Sequence, residues 1–284
     1  MPLSRNWIIS FLACTGIWTG GLPVYGQALI PYTPQLNAEQ LDEQGLALIQ
    51  EAVQLLRLGQ YEPALSRAKL ATQLSPQRFQ TWFILGNLYL QLGEIDAGIE
   101  TLKQAQSLAP NEAQIAFSLG NAYFQSGDYQ AAKEALEAGL KLAPEVPEAF
   151  FDLGNTHLKL EEYTEAIAAY ERAVELEASF WPAINNIGLV KYEQGDIEGA
   201  IAQWEEALKI DNAQAEPLLA LAVAIYTQGE IEKGLELGEQ ALQIDNRYAD
   251  LEFLKDNLWG SRLLMDTQAF LSTPQMQAIV INDQ

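Results

Sequence analysis

Apolar and small residues recur along this chain with a period of 34 residues and no gap. The segments QLGEIDAGIETLKQAQSLAP (91–110), QSGDYQAAKEALEAGLKLAP (125–144), KLEEYTEAIAAYERAVELEA (159–178) and EQGDIEGAIAQWEEALKIDN (193–212) align residue for residue. Two fainter copies flank them, RLGQYEPALSRAKLATQLSP (57–76) and TQGEIEKGLELGEQALQIDN (227–246). Together they define six units, 45–78, 79–112, 113–146, 147–180, 181–214 and 215–248. A period of this length marks a stack of supersecondary units, none of which can bury its apolar face alone. Each unit is expected to be a pair of helices. Gly59, Gly93, Gly127, Gly195 and Gly229 each precede a Tyr or Ile by two residues and fall at the turn, where glycine permits a positive-φ C-cap. Pro76, Pro110 and Pro144 end the second helix. Gly86, Gly120, Gly154 and Gly188 lie inside the first helix, where glycine costs about 0.5–1 kcal/mol relative to alanine. Close approach of the paired helix is the reason expected for them.

A stack needs covered ends. Past Asn246, residues Leu251, Leu254, Leu258 and Trp259 stand at near-helical spacing with Asp250, Glu252, Lys255 and Asp256 between them. They predict a capping helix over the sixth unit, kinked at Gly260, within a terminal region 249–284. Thr273-Pro274 predicts an N-cap and first residue of a last short helix to about Ile281. The Leu258, Trp259, Leu263 and Leu264 face is the candidate for dimerisation. At the other end, 27–44 is a linker and helix extension, because Thr33-Pro34 and Asn37 to Gln40 offer earlier helix starts. Residues 1–26 have the layout of a secretory signal: Arg5, an uncharged apolar stretch from Trp7 to Trp18, the breakers Gly20, Gly21 and Pro23, and small residues at Val24 and Gly26. Cleavage after Gly26 would place the protein outside the cytoplasm, in a periplasm or thylakoid lumen. The alternative is an uncleaved membrane anchor over 7–22, although its apolar run is shorter than the roughly 20 residues that span a bilayer. Phe11 to Cys14 is a poor lipobox.

Individual positions carry a family resemblance. Trp82, Leu85, Gly86 and Tyr89 form a Trp-x-x-Leu-Gly-x-x-Tyr signature, repeated as Ala116, Leu119, Gly120 and Tyr123 and as Phe150, Leu153, Gly154 and His157. Small residues follow in the second helix at Ala132 and Gly139, Ala166 and Ala173, and Ala200 and Ala207. The chain thus resembles the tetratricopeptide-repeat (TPR) family over all six units. The resemblance implies an all-α, right-handed superhelical solenoid of six 34-residue helix-turn-helix repeats with a C-terminal capping helix. It also implies a non-enzymatic scaffold that binds a protein or extended peptide. In such a stack the first helices line a concave groove through their second, fifth, sixth, ninth, twelfth and thirteenth residues. The ninth column holds Asn87, Asn121 and Asn155, and the fifth holds Phe83, Phe117 and Phe151. Asn185, Asn186 and Tyr192 extend this strip into the fifth unit. Asparagine amides can pair with peptide backbone whatever its sequence, and the rings would form pockets between them. The competing reading is that the amides fix helix stacking and the rings belong to the core. Some members clamp a terminal carboxylate with Lys and Arg at the second, fifth and sixth positions. Here the second and fifth are Gln80, Phe83, Gln114, Phe117, Glu148 and Phe151, and the sixth are Ile84, Ser118 and Asp152, so that clamp is lacking.

Charge narrows the partner. The formal net charge is −22, without a run of five or six like charges, as expected of solvated helix faces. That sign disfavours nucleic acid and anionic lipid headgroups and would steer basic partners. Membrane contact is expected only through the N-terminal segment, if it is retained. No metal, cofactor or catalytic site is expected. His157, the single histidine, stands in the tyrosine column of Tyr89 and Tyr123, Cys14 is the single cysteine, and the Leu-Gly pairs belong to helices rather than a phosphate loop. Glu161-Glu162 and Glu205-Glu206 are expected to be exposed. The repeats and caps fill 45–281, leaving no room for a catalytic domain. The acidic repeats and the stretch 258–274 resemble cyanobacterial and chloroplast TPR proteins that assist assembly of photosynthetic membrane complexes. A part in a bacterial secretion, pilus or polysaccharide-export machine is the alternative, and a spacer without a selective groove ligand is a third.

Overall fold

The computed structural model describes residues 37–282, with side chains to Ile279. The signal or anchor segment, residues 27–36 and Thr33-Pro34 lie outside the described residues. Helices follow one another in antiparallel pairs: α1 (Ala38–Arg57) with α2 (Tyr61–Leu74), α3 (Phe79–Gln91) with α4 (Ile95–Leu108), α5 (Ala113–Ser126) with α6 (Tyr129–Leu142), and α7 (Pro147–Lys159) with α8 (Tyr163–Leu176). The fifth and sixth pairs are α9 (Trp181–Gln194) with α10 (Ile197–Ile210) and α11 (Ala215–Thr227) with α12 (Ile231–Ile244). A 3-10 turn (Asn246–Ala249) leads to α13 (Leu251–Asp256), α14 (Ser261–Leu271) and α15 (Pro274–Asn282).

The glycine column is explained by the second helix of each pair. A Cβ at Gly86 would lie 2.7 Å from Leu102, at Gly120 2.6 Å from Leu136, at Gly154 2.5 Å from Tyr170 and at Gly188 2.5 Å from Trp204. These four partners, one period apart, are all fully buried. Each stabilises its pair by roughly 2–3 kcal/mol through the apolar surface it removes from water. At the turns, Gly59, Gly93, Gly127, Gly195 and Gly229 have φ between 69° and 94°. The fourth unit puts Glu161 there, at φ 59°.

Successive first helices touch, α1 with α3, α3 with α5 and α5 with α7, whereas the second helices do not approach one another comparably. The first helices therefore lie on the short inner side of the curved stack, the concave face. The largest cluster of buried side chains sits at the C-terminal end, where α11 is buried from Ala215 to Ile225 except at Glu216.

The C-terminal segment departs from a kinked capping helix. α13 ends at Asp256, Leu258 takes φ 70°, and a new helix begins at Ser261. The break turns α14 back so that it packs chiefly on α9 and α11, two first helices. Trp259 and Leu263 are 3% and 1% exposed, so the face expected to dimerise is spent within the chain. Thr273 does precede the last helix, but its hydroxyl donates back to the Phe270 carbonyl at 2.8 Å.

Candidate functional site: the concave face

The groove has an open part on α3, α5 and α7 and a closed part on α9 and α11. In the open part, a depression of about 470 Å³ is lined by Asn87, Leu90, Gln91, Ser118, Asn121 and Gln125. Asn87 uses its amide nitrogen on the carbonyl of Phe83, one turn back in its own helix, at 2.9 Å. Its side-chain oxygen is left to the depression. Asn121 is exposed and donates to Asp152 Oδ2 on α7 at 3.1 Å. A small cavity of about 70 Å³ adjoins that pair, lined by Gly120, Asn121, Phe124, Leu136, Asp152, Asn155 and Thr156. Burial pushes the Asp152 carboxyl up to about 6; Asn121 opposes this, and the charge of Glu148 one turn away adds to it.

The remaining amides are engaged inside the protein. Asn155 Oδ1 accepts from the Tyr170 hydroxyl at 2.8 Å and from Asn186 Nδ2 at 2.9 Å, tying α7 to α8 and α9. Asn185 donates to Asn186 Oδ1 at 3.1 Å, and its backbone carbonyl receives the Trp204 indole at 3.2 Å. Asn185, Asn186 and Tyr192 are 1%, 6% and 1% exposed, which removes them from any surface a ligand could touch. The strip expected to continue into the fifth unit is interior there: α14 lies over Tyr192 through Asp266 and Arg262, while Asn185 and Asn186 are held among Asn155, Tyr170 and Trp204 of α7, α8 and α10. The Phe column is half-buried between units. Phe83 joins the cluster around Leu102 and Ile115, and Phe117 packs over Gly139, where a Cβ would lie 2.4 Å from its ring. Phe151 lies 5.8 Å from Tyr170 and 5.5 Å, edge-on, from Phe180.

In the closed part the chain supplies its own occupant. Glu193, on α9, accepts from the backbone N–H groups of Arg262 (3.1 Å) and Leu263 (2.9 Å), and so caps the N-terminus of α14 across the fold. The Tyr192 hydroxyl donates to Asp266 at 2.7 Å, and the Arg262 guanidinium stands 5.8 Å from the Tyr192 ring. Trp259 donates its indole N–H to Glu216 at 3.1 Å. Burial raises the Glu216 carboxyl to about 7, against the pull of Trp259 and Asn185. Phe270 fills the space above Gly238 and meets Tyr226 edge-on at 5.2 Å.

Gln91 and Gln125 belong to the thirteenth column and could have been found by reading it; the same column gives Glu193 in the fifth unit. Glu216, at the second position of the sixth unit, was equally open to that reading. Ser118 and Asp152 stand at the sixth position, where the sequence speaks only against a cationic clamp. His157 is buried, with Nδ1 2.6 Å from Glu162 Oε2, and Lys133 joins the same carboxylate at 2.8 Å. This bridge fastens α6 to the turn between α7 and α8. Lys133 and His157 hold Glu162 below the ordinary carboxylate range. Among the described residues no group of three or more His, Cys, Asp or Glu side chains could hold a metal ion, and no helix is long and apolar enough to cross a membrane.

Comparison with known proteins agrees with this architecture. A tetratricopeptide repeat family model matches residues 117–179, and a second, TPR repeat, matches 86–127 and 188–229. Residues 32–105 also match the model of the ChAPs (Chs5p-Arf1p-binding proteins). No curated protein matches. Among solved structures, MamA is 27% identical with a TM-score of 0.54, covering 57% of this chain and 94% of its own. Pseudomonas aeruginosa pilF is 18% identical with a TM-score of 0.64, covering 77% of this chain and 98% of its own. YrrB, described as a TPR protein with an unusual peptide-binding site, is 23% identical with a TM-score of 0.52, covering 67% and 97%. At these identities pilF and YrrB speak for the fold alone. The paired helices, the interior glycine column and the family matches together show that the chain belongs to the tetratricopeptide-repeat family, a protein-interaction scaffold fold.

Proposed function

We propose that this protein is a non-enzymatic scaffold that holds an extended segment of a partner protein in the groove of its first three to four repeats. The observation that carries the reading is the open depression on α3 and α5, with the free faces of Asn87 and Asn121 in it, beside a neighbouring stretch already filled by α14. An extended segment laid there would find donors and acceptors for its backbone from Asn87, Gln91, Ser118, Asn121 and Gln125. Phe83, Phe117 and Phe151 act as the supports of that floor, keeping neighbouring units in register. The location proposed is outside the cytoplasm, on the layout of residues 1–26, and the process proposed is assembly of a membrane protein complex.

The test is site-specific photo-crosslinking in the full chain. A crosslinker placed at Ser118 should trap one partner, which mass spectrometry identifies, and Asn87→Ala with Asn121→Ala should abolish the adduct while the helical content stays unchanged. A crosslinker at Glu137, exposed on α6, should not trap it. Adducts from position 137 alone, or adducts at 118 untouched by the double substitution, would show that the groove is not the binding face.

A further inference from the structure

The closed part of the groove displays how this surface receives a segment. Each of its two acids takes hydrogen-bond donors from the occupant. Glu193 accepts two backbone N–H groups of α14, and Glu216 accepts the Trp259 indole. The occupant also brings a cation into the groove, Arg262 over the Tyr192 ring.

Of the two acids on α7 in the open part, Glu148 is exposed and Asp152 lines a cavity, and among the described residues no occupant gives Asp152 such a donor. It is half-buried on α7, the one hydrogen bond to its carboxylate comes from the Asn121 amide on Oδ2, and among the described residues no Lys, Arg or His pairs with it. The titratable groups that act on it or respond to it are Glu148 on its own helix and the Tyr170 phenol on α8, neither of which is a cation. Beside it lies the cavity of about 70 Å³ whose polar lining is Asn121, Asp152, Asn155 and Thr156. Asn121 is shared between this cavity and the larger depression, so a segment running through the depression passes the mouth of the cavity.

Resting on the groove reading above, we infer that the partner segment carries a lysine or arginine whose cationic head is received by Asp152 beside Asn121. A cation there meets an unpaired carboxylate in a partly dry setting, where a charge-assisted hydrogen bond is worth more than at the open surface. It also relieves the repulsion between Asp152 and Glu148. Asn121 then has two roles, presenting its free oxygen to the peptide backbone and holding the Asp152 carboxylate in place. Because the carboxyl titrates near 6, binding a cation releases a proton from part of the population, so selectivity for the cation grows as pH rises through that value.

The probe is a capped Gly-Ser-Lys-Ser-Gly pentapeptide, set against the same peptide with glutamine for lysine. Both are titrated into the full chain while the Asn121 side-chain amide and the Asp152 carboxyl are followed by NMR. The lysine peptide is expected to bind about tenfold more tightly than the glutamine peptide at neutral pH and to lower the midpoint of Asp152. The ratio should fall toward one under acid conditions and in Asp152→Asn, a near-isosteric change that keeps the amide contact. Equal affinity for the two peptides, or a preference retained in Asp152→Asn, overturns the inference. The groove reading fails separately: a partner trapped through position 118 whose capture is indifferent to Asp152→Asn leaves the groove standing and removes the cation.

Discussion

Replacing Phe270 by alanine should loosen the C-terminal end of the stack by about 3–5 kcal/mol, the usual range for deleting a fully buried ring. The structure fixes where that loss arises. Position 238 is one period beyond Leu102, Leu136, Tyr170 and Trp204, each of which fills the space between its paired helices, but here the residue is glycine. A Cβ on Gly238 would lie 2.4 Å from the Phe270 ring, so the ring occupies the place that the unit's own side chain has elsewhere. Gly238→Leu alone should therefore destabilise, because the ring is fully buried and has nowhere to move. Combined with Phe270→Ala it should restore part of the loss, giving a favourable coupling on the order of 2 kcal/mol in a double-mutant cycle. The assay is amide hydrogen exchange resolved to α12 and α14, which suits a repeat array better than one global unfolding midpoint. If Phe270→Ala changes protection by less than about 1 kcal/mol, or if the two substitutions simply add, the ring is not the missing side chain of the sixth unit.

Two further outcomes follow from Glu193, which caps α14, and Glu216, which holds Trp259 just before it. Glu193→Ala removes the acceptor for two backbone N–H groups at the start of that helix and should cost about 1–2 kcal/mol, read as faster exchange at Arg262 and Leu263 with α3 to α6 unaffected. Glu216 binds its proton more tightly folded than unfolded, about 7 against 4.5, so its own contribution to stability should be full below 4.5 and be lost as pH rises through 7. Roughly 1.4 kcal/mol per unit of displacement puts that loss at a few kcal/mol. Glu216→Gln should flatten most of the slope in urea titrations, and the residue left near pH 6 should vanish with Asp152→Asn; an unchanged slope in the double variant would exclude both acids.

The helical pairs, their turns and the reason for the interior glycines were legible in the sequence because each depends on residues within one 34-residue unit. Gly188 announces a close neighbour, and Trp204, sixteen positions on, is that neighbour. The orientation of a column was harder to read. Asn121 and Asn155 share one column, yet Asn121 faces solvent while Asn155 is engaged by Tyr170 and Asn186, residues specific to later units. The path of α14 was not readable at all. Its cap, Glu193, is 69 residues before Arg262, and no local pattern connects them. Gly260 marks a break rather than the expected kink, and it is glycine because the Glu193 carboxylate passes 2.2 Å from where its Cβ would be.

The single keyed end has an evolutionary corollary. A unit duplicated among α3 to α6 would meet neighbours built like itself, with Gly86 against Leu102 and Gly120 against Leu136 repeated once more. A unit duplicated after α12 would part Phe270 from Gly238 and Arg262 from Glu193, dismantling the stopper. The length of the open trough and the integrity of its closed end are thus independent variables: the array can be lengthened or shortened toward its N-terminal side, while the terminus that seals it stays the same.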